Sequence, residues 1–182
     1  MDGDPGQWAD FLLLLFRLTI AGVFIAHGWN HVFGGGRIDG TARWFESMGM
    51  RPGRLHAWLA SITELGAGAM LAVGLLTPLA AAALLGTMVV ALITNHLRNG
   101  FFVFRPGEGY EYVLVLSMCS VVIGGFGAGS LSLDHVLGIL AGGWWQILGT
   151  VALGGGGGVL LLAVFWRPGR TDVSAAAGSA AS

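Results

Sequence analysis

The stretch "FLLLLFRLTIAGVFIAHGWNHVF", residues 11–33, decides the fold. It has the length of a membrane-spanning helix, since about 20 apolar residues cross roughly 30 Å of hydrocarbon. Yet it contains Arg17 and closes on His27, Asn30 and His31. Ionisable groups at membrane depth are costly, so each asks for a partner on another helix. The rest of the chain supplies such helices. Apolar runs follow at residues 55–76, 78–97 and 144–166, with a shorter one at 110–126. Pro78 stands at the start of its run, a favourable place for it, so the second and third runs form a tight hairpin.

Composition agrees. The chain has 182 residues, 54% hydrophobic and 10% charged, with mean hydropathy +0.73. Soluble domains carry about 25% charged residues, so this chain lacks the charge for a water-facing surface. A net charge of −1 gives no case for a nucleic-acid partner. Cys119 is the sole cysteine, which excludes an internal disulfide, a CxxC pair and a Cys-ligated cluster. The start, "MDGDPGQWAD", has three aspartates and no basic residue, so the first apolar run is expected to be retained and not cleaved as a signal.

Charges in the loops predict orientation. All nine basic residues are arginines, and eight fall after the first, third and fifth apolar runs. The positive-inside rule puts that side in the cytoplasm of a plasma (inner) membrane, with the N-terminus outside. The expected organisation is an external tail (1–10), a four-helix core (11–138), an added spanning helix (144–166) and a disordered cytoplasmic tail (167–182). In the first cytoplasmic loop, "TARWFESMGM" groups Trp44, Phe45 and Met48 on one helical face. That reads either as a helix in the membrane interface or as a segment capping the bundle. The last run contains "GGGGG", residues 154–158, tolerable in lipid because the backbone must hydrogen-bond to itself and glycine permits close helix approach. Trp144, Trp145 and Trp166 flank it like aromatic belts.

Glu64, mid-helix with no basic neighbour in sequence, is expected to form a structural ion pair with Arg17, whose other reading is to snorkel outward to the headgroups. His27 and His31 share one helix face. With Glu64, His96 and Glu111 they should converge in the cytoplasmic half of one bundle. His56 and His135 read as interface residues at helix ends. No HExxH or similar spacing occurs, so no metal is predicted. A haem held by two imidazoles has nothing here to distinguish it from chance. A quinone needs hydrogen bonds to its carbonyl oxygens, a carboxylate to relay protons and an apolar slot, and this set meets those loose requirements.

The residues also carry a resemblance. "FRLTIAGVFIAHGWNHVFGG" is similar to the first helix of the DoxX-like (DoxX/DoxD) integral membrane proteins, through Arg17, Leu18, Phe24, His27, Gly28 and Gly34. The second block is matched by Glu64, Gly68, Gly74, Leu75 and Thr77, and the third by His96, Gly100, Phe101 and Glu111. "GFGAGSLSLDHVLG" resembles the closing segment. His31 stands where the family often has lysine, and the fifth helix adds to the usual four.

The resemblance implies an all-α transmembrane bundle that is linked to redox chemistry. DoxD-type members are subunits of a thiosulfate:quinone oxidoreductase, and others are membrane partners of redox-stress enzymes. Three functions follow as expectations: a quinone-linked redox subunit whose cofactor site is His27, His96, Glu64 and Glu111; a non-catalytic anchor for a soluble oxidoreductase; or a small transporter. No internal repeat favours transport. No catalytic residue is assigned, and an oligomer stays open.

Overall fold

The computed structural model describes residues 5–139 and 142–169. The expected disordered tail lies outside them from residue 170 on, as do residues 1–4 of the expected external tail.

The described chain is all-α. Helix α1 (Pro5–Phe33) leads through a short turn to α2 (Arg37–Ser47), and α3 (Gly53–Val73) returns antiparallel to α1. Helix α4 (Thr77–Ala91) continues through a π turn (Leu92–His96) into a 3₁₀ turn (Leu97–Asn99). Then come α5 (Glu111–Phe126), a single turn α6 (Leu133–Val136), and α7 (Trp144–Thr150), which a π turn (Val151–Gly155) joins to α8 (Gly156–Phe165). Helix α1 begins at Pro5, so residues 5–10 are helix instead of tail; proline fits a first helical turn, where its missing N–H costs nothing.

Among the described residues, three rods, Gly6–Phe33, Thr77–Asn99 and Trp144–Phe165, are long and apolar enough to cross a membrane. The sequence suggested five. Helix α3 has 21 residues but gives up apolar character to His56, Ser61, Thr63 and Glu64, while α5 has only 16 residues. The molecule is a multi-pass membrane protein.

Glycine sets the helix spacing. A Cβ on Gly28 of α1 would lie 2.9 Å from Leu65 Cγ and 3.0 Å from Glu64 Cβ, and one on Gly68 of α3 would lie 2.8 Å from Ile25 Cγ1. These reciprocal contacts bring α1 and α3 together and fix their antiparallel register. Helix α4 is central, packed on α3, α5 and the α7–α8 rod. On that rod, Gly154 faces the Ala82 carbonyl so closely that a Cβ would overlap it, and a Cβ on Gly158 would come within 2.9 Å of the Gly86 oxygen.

Hydrogen bonds tie both ends. At one end the α8 terminus meets the α2–α3 loop: Arg167 N donates to Gly49 O (2.7 Å), Arg51 N to Phe165 O (3.3 Å) and Trp166 Nε1 to Met48 O (2.9 Å). Trp166 therefore joins helix to loop, and the aromatic belt is left to Trp144 and Trp145, both about four-fifths exposed. This end carries Arg37, Arg43, Arg51, Arg54 and Arg167 and is called the arginine end below.

At the opposite end the loop around α6 folds under the α3–α4 hairpin. The Asp134 carboxylate accepts from Leu76 N (2.6 Å) and Thr77 N (2.9 Å), satisfying first-turn donors of α4 that the helix cannot use itself. Asp134 N donates to Gly74 O (2.8 Å). Gly74 is required twice over: its φ is +67°, and a Cβ would overlap Arg17 Nη1.

Candidate functional site

A cavity of about 470 Å³ runs along the inside of the bundle, with its polar lining gathered toward the arginine end. The geometry that makes it begins with Gly28. Because that residue has no side chain, α3 closes on α1 beside Glu64, and Glu64 Oε2 comes within 3.2 Å of His31 Nδ1, one turn further along α1. The two atoms are close but not aligned as a hydrogen bond, and both are buried without another partner. Buried polar atoms in folded proteins are nearly always paired, so such orphans mark a place where something else belongs.

Helix α2 roofs the cavity. Phe45 is buried, and its ring and that of Trp44 lie 6.4 and 6.3 Å from the His31 ring. Phe45 also faces His56, whose ring meets Phe165 of α8 edge-on at 5.0 Å. Thus α2 caps the bundle through its aromatic face, with Met48 beside it, the second of the two readings open for "TARWFESMGM". Glu46, turned away from that face, accepts from Gly53 N (3.3 Å) at the start of α3.

The structure gathers most, not all, of the expected residues. His27, His31, Glu64 and His96 line the cavity. His27 does so from an exposed position, whereas Glu64 is 4% exposed. His96 has both ring nitrogens in use: Asn95 Nδ2 donates to Nε2 (3.2 Å), which leaves Nδ1–H to donate to the Glu108 carbonyl (2.9 Å). His96 sits in the π turn Leu92–His96, which also presents Thr94 and Asn95 to the cavity. Such turns often occur at functional sites.

Three expectations are corrected. Glu111 does not line the cavity; as the first residue of α5 it turns back to its own loop, where Oε2 accepts from Val103 N (3.2 Å). Glu108 lines the cavity instead. Arg17 and Glu64 form no pair. The register set by Gly28 and Gly68 places Arg17 level with Gly74, ten residues and about 15 Å along α3 from Glu64. Arg17, fully buried, donates from Nη2 to Leu131 O (2.8 Å) and feels the charge of Asp134. His56, expected at the interface, is 2% exposed and lines the cavity, with Nε2 buried and unpartnered. Its neighbours Phe45 and Phe165 come from distant segments, so no local pattern announces it. His135 is exposed, as expected.

Among the described residues, no three His, Cys, Asp or Glu side chains stand close enough to hold a metal ion. The arrangement suits a polar head with hydrogen-bond acceptors or donors, held by His31, Glu64 and His56 and walled by apolar side chains.

Residues 12–97, from α1 to the end of α4, match the DoxX family model. Over that span the chain is similar to the DoxX family. The match covers just under half of the 182 residues and includes Arg17, His27, Gly28, Glu64, Gly68, Gly74 and His96. All of α3 and most of α1, which contribute His31, His56 and Glu64 to the cavity, lie within it, while α5 and the α7–α8 rod lie beyond it. No curated protein and no solved structure matches the chain significantly.

Proposed function

We propose that this DoxX-like protein is the quinone-binding membrane subunit of a redox complex, seated in the plasma membrane with its arginine end in the cytoplasm. The observation that carries this reading is a set of buried polar atoms without a hydrogen bond at one end of an apolar cavity inside the bundle, His56 Nε2 and the facing His31 Nδ1 and Glu64 Oε2. A ring with carbonyl or hydroxyl oxygens satisfies such atoms; a purely hydrocarbon ligand does not.

When bound, a quinone supplies two-electron, two-proton carrier chemistry. The chain's own residues do the rest. His56 and His31 hydrogen-bond the ring oxygens, Glu64 holds a proton within reach of His31, and exposed His27 links the pair to the aqueous side. Trp44 and Phe45 close the roof against water. The second electron partner is a soluble oxidoreductase of the kind the family resemblance implies, docked on the arginine-bearing loops.

The test is thermal unfolding of the purified protein with a short-tailed benzoquinone. At a hundred times its Kd, one-site binding adds about 2.7 kcal/mol. His27→Ala, an exposed change that leaves the fold intact, and Glu64→Gln should each reduce that gain. Equal stabilisation of wild type and both variants means partition into the bundle or detergent, and defeats the reading.

A further inference from the structure

The cavity is not a compact bowl. Its lining on α4 and the π turn that continues it runs from Leu79 to His96, about 25 Å of helix axis at 1.5 Å per residue. A volume of about 470 Å³ drawn out over that length is a narrow slot. One end holds the polar set under α2, where Phe45 and Met50 are buried and close the way out. Along its side the slot is lined by Leu59, Leu79 and Leu153, which are 42%, 52% and 64% exposed. In a membrane-embedded bundle those side chains face lipid. The slot therefore opens sideways into the bilayer.

The glycine run forms its wall. Leu153, Gly157 and Leu161, spaced i, i+4 and i+8, face the slot from the α7–α8 rod, while Gly154 and Gly158, which also border it, lie against α4. Gly154 and Gly158 are glycine because α4 leaves no room for a Cβ. Gly157 has no such reason: a Cβ there would meet nothing within 4 Å. Gly155 and Gly156 are equally open, but they do not line the cavity.

Resting on the quinone reading above, we infer that the ligand is a long-tailed, lipid-resident quinone. It enters sideways from the bilayer, and its apolar tail lies along the α4 and α8 wall over bare Gly157. The rod that extends the chain beyond the family match thus selects the tail, while α1 and α3 hold the ring. Gly157 is a specificity position with no part in the chemistry.

The experiment uses the full chain in lipid nanodiscs and two probes, one benzoquinone ring without a tail and the same ring with a decyl tail. Partition of the tail into lipid is common to every variant, so comparing variants cancels it. Gly157→Leu should weaken the decyl form by about tenfold or more, within the usual cost of overpacking, and leave the tail-less form unchanged. Gly156→Leu should change neither. Gly157→Ala, which clashes with nothing and favours the helix, gives the same ordering on a smaller scale should the leucine variant fail to fold.

Equal weakening of both probes by Gly157→Leu, or weakening of neither, overturns the slot while the ring site stands. Displacement of the decyl quinone by decylbenzene at equal concentration means ordinary lipid fills the slot, and also overturns it. Failure of wild type to bind either probe removes the quinone reading itself, and the tail with it.

Discussion

His31 of α1 and Glu64 of α3 stand 3.2 Å apart across the interface that Gly28 opens, with Glu64 almost wholly buried. Residues that share a buried contact couple by about 0.5–3 kcal/mol in a double-mutant cycle, whereas distant ones add. His31→Ala and Glu64→Gln should therefore couple in thermal or denaturant unfolding. Arg17→Gln and Glu64→Gln should simply add. Coupling in the second cycle and not in the first would reinstate the pair that spacing alone suggested.

Asp134 holds the opposite end, through the two N–H groups of Leu76 and Thr77. Replacing a capping side chain by alanine typically costs about 0.5–2 kcal/mol. Asp134→Ala should fall toward the upper part of that range, since it also leaves buried Arg17 without the acidic group whose charge it feels. Ser130→Ala, on an exposed residue of the same loop that bonds Asp10, should cost less. Unfolding midpoints of the two variants decide it.

Much of this was legible in the sequence. Apolar length gave the long rods, Pro78 gave the hairpin, and the arginine pattern gave two unlike ends, which the contact of the α2–α3 loop with Arg167 bears out. His27, Glu64 and His96 were gathered from polarity at membrane depth. Depth along each helix was not legible. Helix α2 and its loop occupy the space at the arginine end, so α1 and α3 start from different levels, and Arg17 misses Glu64. Glu111 failed for a local reason, because a carboxylate in a first turn finds backbone N–H groups nearer than any cavity. His56 was missed because its burial is built by Phe45 and Phe165, from segments far apart in sequence.

Gly154 and Gly156 are two residues apart and should behave oppositely. At Gly154 a side chain meets the Ala82 backbone, which cannot move aside as a flexible side chain can. Gly154→Leu should destabilise by about 1–3 kcal/mol, the usual cost of overpacking, by prising α8 from α4. Gly156→Leu should be neutral or slightly stabilising, as a better helix former in open space. Equal loss from both would mean that the glycine run serves helix flexibility and not close approach.

The placement of the arginines predicts the orientation. Arg37, Arg43, Arg51, Arg54 and Arg167 are exposed at the end where Gly49 meets Arg167, and Arg17 alone is buried toward the other end. The loops at that other end, 74–76 and 127–139, hold no arginine. Short arginine-bearing loops stay cytoplasmic, so a reporter fused after Gly169 should read as cytoplasmic and one fused ahead of Pro5 as external. Helix α5 is the element at stake, because its 16 residues cover only about 24 Å. If α5 failed to cross, both termini would report from one side. A fusion in the loop before Glu111 and another after Phe126 should therefore report from opposite sides. The same result would put His31, Glu64 and His56 in the cytoplasmic half, on the side where a proton taken up or released at the cavity meets the cytoplasm.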